Sequence, residues 1–420
     1  MKRLLFLLGG GVVVLYLAAC GFWYWINIPP QIKIPTPVMP HPNGYDYFQR
    51  AGTAYVKDTK GVDAITDGSI SNKPKKYPLA VKEAWLQKNA KAFHLLREGL
   101  KYPALSFPSL SLFDMSFHEY AKDREMARGL AVESHARGER GDWNGALQSA
   151  LDDYNFGNQI ACGRPLDGAL VSIAIRAISL HELEILVPHT NATTAKMAAV
   201  SMEKAYENRY SFYKTLQEEK WLDVCETLQF MSKPSWRIDL MRSFNIPVIN
   251  NAKMLLISDR KVISDMTALT DALIENAQRP YLKMQVVPPS DDPIVELIVF
   301  RGSKWLWARN NTFAVEIMTM YALRAYKMDN GHYPKNLKAL MPTYLHKIPI
   351  DPWDGVAPLH YQLQGNKYLL WSIGPDGVDN HGTPIFDPNA GGTSPSIPNN
   401  VRYEVSRGSA GDVVAGINTP

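Results

Sequence analysis

Apolar residues recur at helical spacing through most of the middle of the chain. From Leu79 to Gly99 they stand three or four positions apart, which is typical of one buried face of an α-helix. The same pattern predicts four further helices, at about 117–137, 143–160, 166–187 and 193–217. Glycine or proline stands near the ends of the first three of these segments. The chain is therefore predicted to be mainly α-helical.

The stretch GERGDWNGALQSALDDYNFGNQI lies at the centre of this region and indicates how the helices are joined. Asp142 is suited to cap a helix that begins at Trp143, and an apolar stripe follows it. The turn G-D-W-x-x-A-L resembles the hinge between paired helices in tetratricopeptide-type repeats, although no regular repeat period recurs. Residues 43–293 are therefore predicted to form a body of irregular antiparallel helix pairs.

The last part of the chain has a different pattern. A segment at about 294–328 is rich in Leu, Trp, Met and Ala, and predicts one long helix that ends at Asn330-Gly331. The runs LHYQL and KYLLWSI flank QGN, which is typical of a β-hairpin. Residues 294–390 are therefore predicted to be a long helix plus a small α+β domain. Residues 391–420 are predicted to be a loosely ordered tail, with a short strand at 401–405.

The N-terminal segment carries no charge after Lys2 and Arg3. The stretch from Leu4 to Ile28 is long enough to span a bilayer as a helix, and the two basic residues favour a cytoplasmic N-terminus. This predicts a single-pass inner-membrane protein with a transmembrane anchor at 1–28, a Pro-rich spacer at 29–42 and an extracytoplasmic bulk. The alternative is a lipoprotein attached through Cys20, because LAAC resembles a lipoprotein box.

Composition and motifs exclude several classes of function. A formal net charge of +4 and the absence of a basic stripe argue against nucleic acid as a partner, and no phosphate-binding glycine motif supports a nucleotide. The cysteines lack the spacing of a zinc site. An extracytoplasmic compartment permits a disulfide between Cys162 and Cys225, and two separately buried free thiols are the other possibility.

A search for catalytic residues yields weak candidates. His118-Glu119 and His181-Glu182 each lack the second histidine of a zincin helix. Asp152 and Asp153 are adjacent on a predicted helix, so they face different directions and shared proton chemistry is not expected. Trp305 and Trp307 either line a groove or pack in the core, and core packing is favoured.

A series of pieces in the last hundred residues resembles the C-terminal half of the G-type (major) pseudopilin of type II secretion. The pieces are ALRAYKMDNGHYP, then DPW, then the hairpin, then SIGPDG. The resemblance covers roughly residues 315–387 and implies a pseudopilin-like α+β fold for this domain. It does not extend to the N-terminus, where the early glutamate of a pseudopilin is missing. The whole layout resembles membrane-anchored bacterial envelope proteins, which implies an architecture and not a chemistry.

The pseudopilin resemblance also implies a calcium site. In that family the loop that corresponds to Gly374 onward binds calcium, so the carboxylate of Asp376 and the carbonyl of Ile373 are the matching ligands, with Asp379 and Asp387 closing the shell. Calcium takes carboxylate and carbonyl oxygens of this kind.

Taken with the missing catalytic motifs, these observations favour a non-catalytic, membrane-anchored binding or assembly protein that binds an envelope protein or a peptide with its helical body. The alternatives are an envelope hydrolase whose site is assembled from dispersed His and Asp/Glu residues, and an accessory part of a type II secretion apparatus.

Overall fold

The computed structural model describes residues 32–57, 77–107, 117–247, 252–390 and 399–418, with some positions between 13 and 30. In this part of the chain the predicted helical body and small sheet are both present. The helices are α1 Gly44–Ala54, α2 Leu79–Lys88, α3 Ala90–Gly99, α4 Phe117–Glu139, α5 Trp143–Ile160, α6 Leu166–Leu186, α7 Ala192–Glu207, α8 Phe212–Met231, α9 Trp236–Ser243, α10 Ala252–Leu256, α11 Asp259–Ala277, α12 Pro293–Ile298 and α13 Lys304–Asn330. The strands are β1 His360–Gln364, β2 Lys367–Ser372 and β3 Val413–Val414.

The predicted membrane-spanning helix is wrong for the residues that the structure describes. None of their helices combines the length and the apolar character needed to cross a bilayer. Much of the predicted anchor, Leu4 to Ile28, lies outside the described residues. The described residues therefore have a mainly α-helical fold with a small sheet and without the predicted transmembrane helix. The inner-membrane localisation that was inferred from that helix is withdrawn.

Helices α4, α5 and α6 pack side by side and form the centre of the body, and α1 and α3 pack together beside them. Asp142 caps α5 as predicted, because its carboxylate accepts a hydrogen bond of 2.9 Å from the backbone N–H of Gly145. Trp143 departs from the predicted apolar stripe. It is partly exposed and stacks on the His189 ring, with 3.7 Å between the ring centroids.

Helix α13 connects the body to the C-terminal part. It packs on α7 and α6, and a single apolar core contains residues of all three helices and of the C-terminal sheet. The buried hydroxyl of Tyr321 donates a hydrogen bond of 2.6 Å to the carbonyl of Leu183 on α6. Glu203 on α7 accepts hydrogen bonds from the backbone N–H groups of His346 and Lys347. The body and the C-terminal part therefore share one apolar core, and the hydrogen bonds of Glu203 also join them.

Three segments that the periodicity predicts as single helices are each two helices. The first is broken at Asn89, whose side chain bonds both backbone groups of Val56. The second is broken at residues 208–211, between α7 and α8, and the third at residues 299–303, between α12 and α13. Trp85 before the first break and Phe93 after it lie in one apolar cluster, so the periodicity alone did not reveal that break.

The sheet is antiparallel and follows the order β1-β2-β3. The hairpin pairs His360 with Trp371 and Gln364 with Lys367, as the sequence predicts. The third strand was not predicted: Val414 pairs with Trp371, within the stretch that the sequence assigned to a loosely ordered tail. The short strand predicted at 401–405 is instead the end of a 3-10 helix and the two residues that follow it.

Cys162 and Cys225 are both free thiols, so the possible disulfide between them is not formed.

Candidate anion-binding site

A cavity of about 690 Å³ lies where the body meets the C-terminal part. Its walls come from the break between α7 and α8, the end of α11, the first half of α13 and the segment at 347–355. Ligand sites for small molecules have about this volume and often form where structural units meet. The cationic residues that line it are Arg209, Lys214, Arg279, Lys304 and Lys347. The lining carboxylates are Glu203, Glu207 and Asp351.

Arg209 owes its place to the break between α7 and α8. Its guanidinium carbon lies 3.7 Å from the centroid of the Tyr206 ring, and its Nη1 donates a hydrogen bond to the Tyr206 carbonyl at the end of α7. These contacts hold the guanidinium in one position at the cavity wall. A guanidinium has five N–H donors, so most of its hydrogen-bonding capacity remains for a ligand.

Lys304 is the first residue of α13 and lines the cavity together with Arg209. Its ammonium group donates hydrogen bonds to the carbonyls of Ala277 and Arg279, the latter at 2.7 Å, where α11 ends. Burial lowers the pKa of Lys304 from 10.5 to about 8, and the positive charge of Arg209 contributes to the shift. The two cationic groups therefore repel one another across a partly buried site.

Arg176 lies behind this pair and is itself buried, with 1% of its surface exposed. Its Nη2 donates a hydrogen bond of 2.9 Å to the amide oxygen of Asn311, a residue that lines the cavity. Its Nε has no hydrogen-bond partner among the residues that the structure describes. Burial lowers the pKa of Arg176, and the nearby charge of Arg209 lowers it further.

Gly157 on α5 makes room for Arg176. A Cβ atom at this position would lie 2.7 Å from the Arg176 Cγ and 3.2 Å from its backbone nitrogen. The carbonyl of Gly157 also accepts a hydrogen bond of 2.6 Å from the Ser172 hydroxyl on α6. Helices α5 and α6 therefore approach closely at this point, and the missing side chain places Arg176 within the core.

The lining carboxylates are occupied by other partners. Glu203 accepts bonds from the backbone of His346 and Lys347 and from the His346 ring. Glu207 pairs with Lys347 at 2.7 Å. Asp351 is buried and accepts bonds from the Trp353 and Ile373 backbone N–H groups and the Ser372 hydroxyl. Neutral backbone and hydroxyl donors do not cancel the charges of Glu203 and Asp351, but the five lining cations still exceed the three lining carboxylates by two.

Within the described part of the chain, Arg176, Arg209 and Lys304 form no ion pair with any carboxylate. Buried charges without partners are expensive, and proteins normally pair them. An anion in the cavity would supply a direct partner for Arg209 and Lys304, and Arg176 would attract it from behind Asn311. The remaining wall includes the buried rings of Phe212 and Trp307, whose centroids lie 5.7 Å apart. Trp307 was predicted to be in the core, and it is buried while also lining the cavity.

The residues predicted to bind calcium lie elsewhere, after β2. The Asp376 carboxylate accepts backbone N–H bonds of 3.0 Å from Val378 and from Gly411. The Asp379 carboxylate accepts bonds from the Trp371 indole and the His381 backbone, and that of Asp387 from the Asn389 backbone.

Asp412, which the sequence reasoning did not select, lies beside this loop. It is fully buried and accepts bonds from the backbone of Asn380 and Gly382. Among the described residues, no group of three or more His, Cys, Asp or Glu side chains could hold a metal ion. Calcium binding through Ile373, Asp376, Asp379 and Asp387 stays a prediction.

A second cluster contains residues of two pairs that were weak catalytic candidates in the sequence, His181-Glu182 and Asp152-Asp153. Glu182 on α6 accepts a hydrogen bond of 2.8 Å from the His135 ring on α4. Asp153 on α5 is fully buried and its two carboxylate oxygens lack hydrogen-bond partners among the described residues. Burial raises the pKa of Asp153 well above its usual range, and the charges of Glu182 and Asp152 add to the shift. The neighbouring Asp152 instead pairs with Arg97.

Sequence reasoning missed the cationic residues of the cavity. They are spread over positions 209–347 and lie on different helices and loops, so no local spacing connects them. The only local signal was the polar stretch ENRY, 207–210, within a segment that was otherwise predicted as helix.

Comparison of the chain with known protein families, with curated proteins and with solved structures gave no match. The resemblance of residues 315–387 to the pseudopilin domain therefore stays a prediction from the sequence motifs.

Proposed function

We propose that this chain is a non-catalytic binding protein whose cavity between the helical body and the C-terminal part takes a small anionic molecule. The observation that carries the proposal is the convergence of Arg176, Arg209 and Lys304 without a carboxylate partner in the described part of the chain. A pocket that is meant to bind a cation or a neutral molecule would not concentrate uncompensated positive charge in this way.

Other features of the cavity support the same function. Lys214 and Arg279 add two further cations to the lining, and neither pairs with a described carboxylate, whereas Lys347 pairs with Glu207. The field at the cavity is therefore positive although the whole chain is close to neutral, with a formal net charge of +4. Such a concave, positively charged surface attracts anions and raises their local concentration.

The test is isothermal titration calorimetry of the full chain with benzoate and, separately, with inorganic phosphate at low ionic strength. We expect both anions to bind and their affinity to fall as salt is added, because salt screens the attraction. Arg209→Gln should weaken both by about tenfold or more, the loss expected for one charge-assisted hydrogen bond.

The matched control is Arg124→Gln. Arg124 is exposed on α4 and does not line the cavity. This variant should bind both anions as the wild type does. If neither anion binds the wild type, or if both variants lose affinity equally, the cavity is not an anion site and the proposal fails.

A further inference from the structure

We infer that the ligand of this cavity is a phosphate monoester of a small organic molecule, with its phosphoryl group between Arg209 and Lys304. The inference rests on the proposed anion binding and narrows it to one chemical class. It is carried by three features of the cavity: the amount of uncompensated positive charge, the way in which its donors are held, and the apolar wall beside them.

The charge of the site favours a dianion over a singly charged carboxylate. Arg209 and Lys304 line the cavity, and Arg176 lies directly behind Asn311 with its charge unpaired among the described residues. A phosphate monoester carries a charge between −1.5 and −2 at neutral pH and has three strong acceptor oxygens. A carboxylate brings one charge and two oxygens, and it would leave most of this positive charge uncompensated.

The donors of the site are held in place before any ligand arrives. Arg209 is fixed by the ring and the carbonyl of Tyr206, and Lys304 by the carbonyls of Ala277 and Arg279. The backbone oxygens leave several guanidinium N–H groups and one ammonium N–H group without a bond. A fixed guanidinium matches the geometry of two phosphate oxygens, and the ammonium group acts as a point charge for the third.

The rest of the cavity fits an organic group attached to the phosphate. Val315, Met318 and Pro349 line it together with the rings of Phe212 and Trp307. With a volume of about 690 Å³, the cavity would be largely unfilled by inorganic phosphate alone. Burial of an apolar or aromatic ester group against these side chains adds a hydrophobic contribution that free phosphate lacks.

The experiment compares three probes by calorimetry on the wild-type full chain: phenyl phosphate, inorganic phosphate and benzoate. We expect phenyl phosphate to bind at least about tenfold more tightly than either of the others, since it combines the dianion with the ring. Its affinity should also rise between about pH 5 and 7, where the ester acquires its second charge.

Benzoate controls for the ionisable protein groups at the cavity. These are the carboxylates of Glu203, Glu207 and Asp351 and the ring of His346, which pairs with Glu203. The affinity of benzoate should change little over this pH interval, because benzoate is already ionised. The ratio of the two affinities therefore reports the second ionisation of the ester.

Lys304→Gln provides the matching variant. It should remove most of the advantage of phenyl phosphate over benzoate, because the phosphoryl group loses one of the two cations proposed to flank it. Since Lys304 also bonds the end of α11, the melting temperature of this variant is measured alongside. The comparison of probes and of pH on the wild type requires no substitution.

Equal affinities for benzoate and phenyl phosphate would overturn the inference and leave anion binding intact. Equal affinities for inorganic and phenyl phosphate would also overturn it, because the apolar wall would then contribute nothing. Failure of all three probes to bind would refute the anion site as well.

Discussion

The guanidinium carbon of Arg209 lies 3.7 Å from the centroid of the Tyr206 ring, across the point where α7 ends. The same guanidinium donates a hydrogen bond to the Tyr206 carbonyl, one of the last carbonyls of the helix, which have no partner within it. A positive charge is favourable at this end of a helix. An arginine is thereby held in position without any carboxylate, and its charge remains available to a ligand.

This relationship makes Tyr206 a positioning residue for Arg209. We expect Tyr206→Ala to weaken binding of phenyl phosphate by about fivefold, because the guanidinium loses the ring that fixes it and a cation–π contact of this kind contributes roughly 1 kcal/mol. Tyr206→Phe retains the ring and should bind almost as the wild type does. The measurement is calorimetric titration of both variants. Equal losses in Ala and Phe variants would show that the hydroxyl, and not the ring, is what matters.

Lys304 should make anion binding depend on pH in the alkaline range. Because its pKa is lowered to about 8, the group loses its charge as the pH rises from about 7 to 9.5, and the affinity for benzoate should fall over this interval. In Lys304→Gln the fall should be absent or much smaller. Titrations with benzoate at several pH values test this, since benzoate itself does not titrate in the range.

The lowered pKa of Lys304 also affects the stability of the ligand-free chain. This stability should rise with pH, whereas the affinity for anions should fall. The folded chain releases the Lys304 proton at about pH 8, whereas the unfolded chain holds it until about 10.5. The folded state therefore binds fewer protons between these values, so the contribution of this group to the free energy of unfolding rises with pH. Urea unfolding of the wild type and Lys304→Gln at pH 7.5 and 9.5 should show this difference, and a contribution that falls with pH would contradict it.

Asp153 should lower stability as the pH rises. Its pKa is raised in the folded state, so the folded chain retains a proton that the unfolded chain releases above about pH 4. The free energy of unfolding should therefore fall with a slope of up to about 1.4 kcal/mol per pH unit from this group until the pH passes the raised pKa. Asp153→Asn removes that slope and should be more stable than the wild type at neutral pH.

Asp152→Asn is the matched control for Asp153→Asn. Its carboxylate accepts a 2.6 Å hydrogen bond from Arg97, so this substitution should destabilise the protein by about 1–3 kcal/mol. Urea denaturation at pH 5 and 8 distinguishes the neighbours. A loss of stability in both variants, with unchanged pH slopes, would show that Asp153 is ionised in the fold.

Asp376 should stabilise its loop whether or not calcium is present. The carboxylate closes the loop through the backbone N–H groups of Val378 and Gly411, so Asp376→Ala should lower the free energy of unfolding by about 1–3 kcal/mol in chelator. The calcium site that the pseudopilin resemblance implies adds a second expectation. Calcium should then raise the melting temperature of the wild type and not of Asp376→Ala. Identical melting with calcium and with chelator would refute the metal site.

The sequence by itself determined the elements whose signal is local. The helices of the body follow from apolar positions three or four residues apart, and the hairpin from two apolar runs on either side of Gln364-Gly365-Asn366. The cap at Asp142 is also local, because it depends on a residue three positions away. Such features are set by the backbone geometry of short segments.

The tertiary structure decided where helices break and which charges remain unpaired. Arg176, Arg209 and Lys304 meet only because α6, the α7–α8 break and α13 pack together. Val413–Val414 becomes a strand only because β2 offers it an edge. Periodicity indicates which face of a segment is buried, but it does not show which segment covers that face. The partners of a charge depend on that packing, and the candidate site therefore followed only from the folded chain.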